Sequence, residues 1–265
     1  AWANVFSPRM AQYDLGCRVL PLGKQPSRVE GPLFSWLGLP GSALGGMDAA
    51  TTASLRQPYA TSPTLDALQG VPIPIWASRS FTGRWSATTS VGPQAQFREK
   101  DQALTGRIIN DLEFSLSDCL LVYGRWVYEL GTLQPGQVEG VTAATQRREL
   151  KTLLTGQHMV FLEGGDKSQQ EIIPYDRASL DPAYILRMMT FFEAGGGRNY
   201  TGLVNRYQNF VDLSSLLKAD RAILVGTAPS DAVGAAKYGS LLLHVGEPIA
   251  GSGDRHLTVY RFVYP

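Results

Sequence analysis

The three histidines come first, because imidazole is the commonest metal ligand and a frequent general base. His158 opens an apolar run, His244 lies inside another, and His256 follows a glycine-rich stretch. None of them stands at the spacing from a second histidine, a cysteine or a carboxylate that known metal sites use. The sequence therefore predicts no metal and no cofactor.

The nucleophile motifs of acyl-transfer enzymes are also missing. No Gly-x-Ser-x-Gly sequence occurs, and Gly41-Ser42 and residues 251–253 are typical of loops. Cys17 and Cys119 have no histidine close by in the sequence. Both lie in strand-like runs, and the pattern leaves two states open for them, a disulfide across a core or two buried free thiols.

Motifs for phosphate and glycoside chemistry are no stronger. Residues 164–168 (Gly-Gly-Asp-Lys-Ser) lack the Gly-x-x-x-x-Gly-Lys-Ser/Thr spacing that wraps a phosphate, and they indicate a hairpin turn instead. Two carboxylate pairs, Asp111 with Glu113 and Asp176 with Asp181, lie where turns and helix caps are expected. Aspartate binds the local backbone at such positions. We therefore predict that the chain is not an enzyme.

The segment from residue 31 to about residue 93 contains a large share of the aromatic side chains. It carries Trp36, Tyr59, Trp76 and Trp85, which we take as the candidate ligand-binding residues. Flat aromatic faces stack on sugars or anchor a protein partner. The alternative is that these rings pack over the core as a lid, because a long segment cut by Pro and Gly needs apolar contacts of its own.

Charge and hydropathy restrict the classes of partner. Lys and Arg number 24 against 23 Asp and Glu, a net charge of +1, so no general field attracts nucleic acid or an anionic membrane. The longest apolar runs are too short to span a bilayer, and no leader sequence opens the chain. The sequence starts at Ala1 and stops after a strand-like run. We interpret it as a segment of a longer protein whose targeting signals or anchors lie outside it.

Alternating apolar residues predict a mainly β, antiparallel fold. Tyr13, Leu15 and Cys17 share one face of a predicted first strand, and Pro21 ends it. Short strands separated by Gly- and Pro-containing turns are typical of an antiparallel sandwich. The predicted strands are residues 13–20, 103–110, 119–123, 126–130, 158–162, 221–225, 240–245 and 257–264.

Helical periodicity interrupts the β pattern between about residues 142 and 217. A first helix is predicted over residues 142–155, ended by Gly156. A second begins at Asp181 and Pro182, an N-cap followed by a first-turn proline, and a short third one follows Asp212. The densest basic group falls in the first helix and is predicted to face solvent: Arg147, Arg148 and Lys151.

Three short motifs resemble immunoglobulin-like modules of the CARDB type, which occur in bacterial surface and periplasmic proteins. They are Thr105-Gly-x-Ile-x-Asn110, Leu116-x-Asp-Cys-Leu120 and Leu130-Gly-Thr-Leu-Gln-Pro-Gly136. The resemblance covers about 35 residues, and its motif is structural: an asparagine at a turn, leucines in the core and Pro-Gly in a loop. It implies a fold and an extracytoplasmic setting, and it carries over no functional residue.

These observations predict one domain over residues 1–265. Its fold is an immunoglobulin-like sandwich, α+β overall, with an aromatic-rich insertion at about 31–93 and a helical insertion at about 142–217.

The predicted function is that of a non-catalytic extracytoplasmic module of a larger membrane-anchored bacterial protein, a scaffold or a protein-binding surface. Its partners would be neighbouring domains or other cell-envelope proteins, with no nucleic acid. The excess of Arg over Lys also favours a bacterial source. The alternative is a carbohydrate-binding or carbohydrate-active module that uses the aromatic-rich segment.

Overall fold

A computed structural model describes ten stretches of the chain: residues 2–20, 28–37, 59–88, 92–100, 103–142, 144–161, 168–204, 211–228, 240–245 and 257–265. Every strand pair among these residues is antiparallel. Strands are more numerous than helices and contain far more of the residues. The chain is therefore mainly β, which confirms the predicted mainly β, antiparallel character.

The strands, in chain order, are β1 (Trp2–Ser7), β2 (Ala11–Leu20), β3 (Arg28–Leu37), β4 (Ala60–Thr61), β5 (Ala67–Ile73), β6 (Ala77–Thr88), β7 (Gln94–Lys100), β8 (Ala103–Ile109), β9 (Leu116–Tyr123), β10 (Trp126–Leu133), β11 (Val138–Val141), β12 (Arg147–Glu149), β13 (His158–Phe161), β14 (Ser168–Glu171), β15 (Ala222–Thr227), β16 (Ser240–Val245) and β17 (Val259–Tyr264). The helices of the described residues are α1 (Leu150–Thr155), α2 (Pro182–Thr190), α3 (Gly197–Thr201) and α4 (Ser214–Leu217).

The chain divides into two compact units. One contains Ala1–Val91 with Asp231–His256, and the other contains Gly92–Ser230 with Leu257–Pro265. The strand predicted at residues 13–20 therefore lies in the first unit, and the one predicted at 257–264 lies in the second. Compactness does not measure whether the units unfold together, so a single cooperative domain over 1–265 stays a prediction.

The first unit contains two sheets, with strand orders β1-β6-β3 and β16-β2-β5-β4. The alternation predicted for the first strand is confirmed, because Tyr13, Leu15 and Cys17 are all buried. Their neighbours in the core come from β1, β3, β5 and β6: Val5, Phe34, Trp36, Leu68, Val71, Ile73 and Phe81.

The segment 31–93 differs from the irregular insertion that its glycines and prolines predict. Its described residues form much of β3 and all of β4, β5 and β6. Phe34 and Trp36 alternate into the core, a period-2 pattern that the flanking glycines and prolines hide. Pro72 lies opposite Gln12 of β2, and β4 pairs only with Leu68 and Gln69, so no described strand pairs with Pro72 on the β4 side.

The second unit is organised around a five-stranded sheet of order β12-β10-β9-β15-β17. One face of this sheet packs against the helices through a cluster that includes Val122, Val127 and Ile223. The other face meets β7 and β8, where Tyr123 donates a hydrogen bond to a Glu99 carboxylate oxygen at 2.8 Å. Because both faces are covered, β15 is an unbroken apolar run rather than an alternating one.

The helix predicted over residues 142–155 is shorter than its periodicity suggests. Residues 147–149 form β12 and pair with β10, so the helix begins only at Leu150. Strand pairing to a distant part of the chain overrides the local helical preference there. Gly156 ends the helix in the left-handed conformation, as predicted.

The helix predicted after Asp181 is confirmed. The Asp181 side chain accepts a hydrogen bond from the Ala183 N–H at 2.9 Å, and Pro182 occupies the first helical turn. Met188 and Phe192 are almost fully buried, as the apolar stripe predicts. No helix among the described residues combines the length and the apolar character needed to cross a membrane.

Candidate functional site

In the first unit, two adjacent segments of the chain pass from one sheet to the other side by side, one between β1 and β2 and the other between β5 and β6. β1 pairs with β6 as far as Ser7 and Ala77, and β2 pairs with β5 from Ala11 and Ile73. Three residues separate these pairs on each strand, so the register is carried unchanged from one sheet to the other. Each three-residue segment begins with a proline, which cannot donate a ladder hydrogen bond and so favours a break in both strands at once.

These connections, together with Phe6 and Ser7 at the end of β1, are called the corner below (residues 6–10 and 74–76). The corner carries four large apolar side chains that are exposed, whereas the inward side chains of the flanking strands are buried. The exposed fractions are 51% for Phe6, 78% for Met10, 55% for Ile75 and 72% for Trp76. Scattered exposed apolar residues are normal, but several at one place mark an interaction surface.

Trp76 is presented by a strained turn. Its φ angle is 56°, in the left-handed region that bulky residues avoid at a cost of about 1–2 kcal/mol. The turn is closed by a hydrogen bond from the Ala77 N–H to the Pro74 carbonyl oxygen at 3.2 Å. The indole ring leans on Phe6, with ring centroids 6.0 Å apart. An uncommon backbone conformation that holds a large apolar ring in solvent is consistent with a functional position.

The base of the corner is held by a buried hydroxyl pair. The Ser7 side chain is fully buried, and its Oγ lies 2.5 Å from the Tyr13 hydroxyl and also donates to the Arg9 carbonyl oxygen. These bonds connect the end of β1, the connecting segment and β2. They order the backbone next to the exposed side chains, which lowers the entropy lost when a partner binds.

The four predicted binding residues differ in their exposure to solvent. Trp36 is only 2% exposed and packs in the core, with its ring 5.3 Å from that of Tyr59. Burial raises the pKa of the Tyr59 hydroxyl. Trp85 is half-buried on β6, and Trp76 alone of the four is largely exposed. Trp36 therefore serves as a core residue, since a ligand cannot stack on a ring that other side chains already cover.

Three members of the corner were missed by sequence reasoning: Phe6, Met10 and Ile75. A usable signal was present, because a proline lies within two residues of each of them in the sequence. Prolines in two strands become informative only once the strands are known to pair, and this pairing joins residues about 70 positions apart.

A second surface, in the other unit, was also missed. The guanidinium carbons of Arg125 and Arg147 lie 4.8 and 4.5 Å from the centroid of the Trp126 ring. Arg148 makes an ion pair with Glu129 at 3.2 Å. The basic group 147–151, predicted as the wet side of a helix, thus lies partly on strand β12. Arg125 and Trp126 are adjacent in the sequence, but their contact with Arg147 depends on the fold.

The histidines and cysteines, which were considered above as possible metal ligands or nucleophiles, are placed as follows. Among the described residues, no group of three His, Cys, Asp or Glu side chains is placed to hold a metal ion. Cys17 and Cys119 are buried free thiols, and burial raises the pKa of each to about 11. His158 is exposed, with Nδ1 3.0 Å from the Gly156 carbonyl oxygen. The His244 side chain and His256 lie outside the described residues.

The predicted carboxylate pairs engage local partners. Asp176 Oδ1 accepts from the Ala178 N–H at 2.9 Å, and Asp181 caps α2. Asp111 accepts a hydrogen bond from the Gln94 side chain at 3.2 Å. These contacts confirm the backbone roles predicted for Asp176 and Asp181.

Comparison with known proteins yields one match. No curated protein and no solved structure matches the chain. A family model described as a domain of unknown function, DUF8725, matches residues 93–228, and these limits follow the first segment of the second unit closely. Because the match covers more than half of the residues of the chain, the chain belongs to the DUF8725 family.

Proposed function

We propose that this chain is a non-catalytic extracytoplasmic module of a larger membrane-anchored bacterial protein, and that it binds a protein partner through the corner. The single observation that carries the proposal is the exposure of Phe6, Met10, Ile75 and Trp76 on the two adjacent connections of the corner, where the Phe6 and Trp76 ring centroids lie 6.0 Å apart. Fully burying side chains of this size contributes about 1.5–3 kcal/mol each. An ordered apolar group of this kind has the composition of the centre of a protein interface.

The mixture of side chains favours a protein over a glycan. Sugar recognition relies on flat aromatic faces flanked by polar groups, and only two of the four exposed side chains of the corner, Phe6 and Trp76, are aromatic. Met10 and Ile75 are aliphatic, and Met is common at adaptable protein-binding surfaces. The carbohydrate-binding module therefore remains the second candidate, and it rests on Trp76.

The finer fold assignment and the setting are part of the same proposal. The contacts of β7 and β8 with the five-stranded sheet support a sandwich in the second unit. Asn110 and Leu116, two positions of the motifs that resemble immunoglobulin-like modules, are both fully buried. The extracytoplasmic setting rests on that resemblance.

The binding role is tested by site-specific photo-crosslinking. The chain carries a benzoylphenylalanine in place of Trp76 and is mixed with a solubilised cell-envelope fraction from a bacterium that encodes it. We expect one dominant protein adduct, and we expect Phe6→Ser or Ile75→Ser in the same chain to reduce it at least tenfold, since hot-spot residues contribute about 2 kcal/mol or more. The matched control places the crosslinker at Leu180, which is 94% exposed in the other unit and should yield no such adduct.

Two outcomes contradict the protein-binding role. Adducts that persist in both serine variants would show that the corner does not select the partner. Binding of a glycan or cell-wall polymer that Trp76→Ala abolishes, with no protein adduct, would favour the carbohydrate-binding candidate instead. A screen of such polymers with tryptophan fluorescence as readout supplies that second measurement.

The setting is tested by the full-length gene product. We expect it to include a leader or a transmembrane segment outside the present chain. A complete reading frame without either, together with recovery of the protein in the cytoplasmic fraction, would contradict the extracytoplasmic role.

A further inference from the structure

Strand β12 lies at the edge of the five-stranded sheet of the second unit, and among the described residues it pairs with β10 alone. The Leu150 N–H donates to the Arg125 carbonyl oxygen at 2.8 Å, just beyond the paired residues. Hydrogen-bonded and non-hydrogen-bonded pairs alternate along antiparallel strands. The backbone groups of Arg148 therefore point towards β10, and those of Arg147 and the Glu149 N–H point towards the open edge. The Glu149 carbonyl is used by α1, because Glu149 is the N-cap of that helix.

Two cations are held beside this edge without a carboxylate partner. Arg125 and Arg147 are exposed, both guanidinium groups lie against the Trp126 ring, and within the described ranges neither forms an ion pair. A guanidinium stacked on an aromatic ring keeps its in-plane N–H groups available, and these form a fork that matches a carboxylate. Arg148, in contrast, already pairs with Glu129.

The charges near the edge are mostly positive. The cations are Arg125, Arg147, Arg148 and Lys151, and the anions are Glu129 and Glu149. Glu129 is paired with Arg148, and the Glu149 carboxylate accepts a hydrogen bond from the Thr152 hydroxyl at 3.4 Å. An unpaired edge strand is a template for strand addition by an extended peptide. Charge complementarity then selects the peptide by its acidic side chains.

From this combination we infer that the β12 edge binds an extended acidic peptide segment of another protein. The segment adds as a strand to β12, and its carboxylates lie on Arg125 and Arg147. This site lies in the part of the chain that matches DUF8725 and does not depend on the corner. A phosphate polymer shares the attraction to arginine but has no peptide backbone to pair with the edge.

The inference is tested with three fluorescein-labelled eight-residue peptides and fluorescence anisotropy at low salt. Alternating Glu-Thr supplies both charge and strand-forming backbone, Glu-Pro keeps the charge but lacks half of the backbone donors, and Lys-Thr reverses the charge. We expect Glu-Thr to bind at least tenfold more tightly than Glu-Pro, and Lys-Thr not to bind. Affinity for Glu-Thr should fall as salt is raised.

Matched variants on the full chain locate the site. Arg125→Gln with Arg147→Gln should weaken Glu-Thr binding at least tenfold, because charge-assisted hydrogen bonds to both arginines are lost. Arg148→Gln removes the same charge from the same strand and should change the affinity by less than about threefold, because Arg148 is already paired. Glu149→Gln removes a repelling carboxylate and should strengthen binding about two- to threefold.

The results that overturn the inference are equally specific. Equal affinity for Glu-Thr and Glu-Pro would show charge attraction without strand addition. No Glu-Thr binding at millimolar concentration would remove the site, provided that circular dichroism shows a folded chain. Inorganic polyphosphate that binds tightly and is not displaced by Glu-Thr would assign the arginines to phosphate.

Discussion

Asn110 gives the sharpest test of the packing in the second unit. Its side chain is fully buried between the β8–β9 and β10–β11 connections. Nδ2 donates to the Phe114 carbonyl oxygen at 3.0 Å and to the Leu133 carbonyl oxygen at 2.8 Å. Oδ1 accepts from the Leu112 N–H at 3.2 Å. We therefore predict that Asn110→Ala strongly destabilises this unit.

The magnitude follows from the three bonds. Each buried hydrogen bond contributes about 1 kcal/mol net, and a partner left unsatisfied costs about 1–3 kcal/mol. The Phe114 bond is partly open to water, whereas the Leu112 and Leu133 bonds are buried, so two partners bear most of the penalty. We expect Asn110→Ala to lower the free energy of unfolding by about 3–4 kcal/mol.

Urea unfolding followed by far-UV circular dichroism measures this change, and calorimetry separates the transitions if the units unfold independently. The matched control is Asn199→Ala, because Asn199 is exposed on α3 and should change stability by less than about 0.5 kcal/mol. A loss below about 1 kcal/mol for Asn110→Ala would refute the reasoning.

Asn110→Asp adds a pH signature to the same test. Asp keeps the acceptor for the Leu112 N–H but places a carboxylate oxygen beside two carbonyl oxygens. Burial and these carbonyl groups disfavour the charged form, so the pKa of the new carboxyl should rise on folding. The variant should therefore be closest to wild type below pH 4 and lose relative stability as the pH rises. A stability difference that does not change with pH would contradict the burial of this side chain.

Three further predictions concern the core, alkaline unfolding and cooperativity. Met188→Asp should lower the free energy of unfolding by at least about 3 kcal/mol, because it buries an unpaired charge, whereas Leu180→Asp, at an exposed position, should leave the urea midpoint unchanged. Burial raises the pKa of Tyr260 to about 12, above its unfolded value, so the stability that this group contributes is present below pH 10 and is lost between pH 10 and 12. Tyr260→Phe should reduce that loss by about 1.4 kcal/mol per pH unit in urea titrations, and equal pH slopes for both proteins would contradict it. Deleting residues 257–265 removes β17 from β15 and, if the chain is one cooperative domain, should abolish the calorimetric transition of the sheets in the first unit too; a retained transition would show two domains.

Local patterns predicted the elements whose interactions are local. The strand beginning near Tyr13 and the start of the helix after Asp181 were predicted from alternation and capping, and both are found nearly where they were predicted. Such patterns are reliable because a cap or an alternating face depends on residues only a few positions apart. The helix predicted over 142–155 was wrong in its first half, because residues 147–149 pair with β10 as a strand.

The candidate binding surfaces were beyond local reasoning. Trp36 and Trp76 occur in the same aromatic-rich segment, yet one is a core residue and the other is exposed. Their difference comes from the strand pairing, which turns Trp36 inward on β3 and leaves Trp76 in the turn between β5 and β6. Strand pairing also explains why Arg147 lies beside Arg125 on the Trp126 ring, because β12 pairs with β10.

By itself, the sequence determined a mainly β chain with near-zero net charge, the start of its strongest helix, and the buried face of the strand that carries Cys17. These properties depend on composition and on contacts within a few residues. Only the tertiary structure decided which aromatic rings face solvent and which arginines share a ring. Exposure is set by the register between strands that are distant in the sequence, and a shift of one residue would reverse the face of every side chain on a strand.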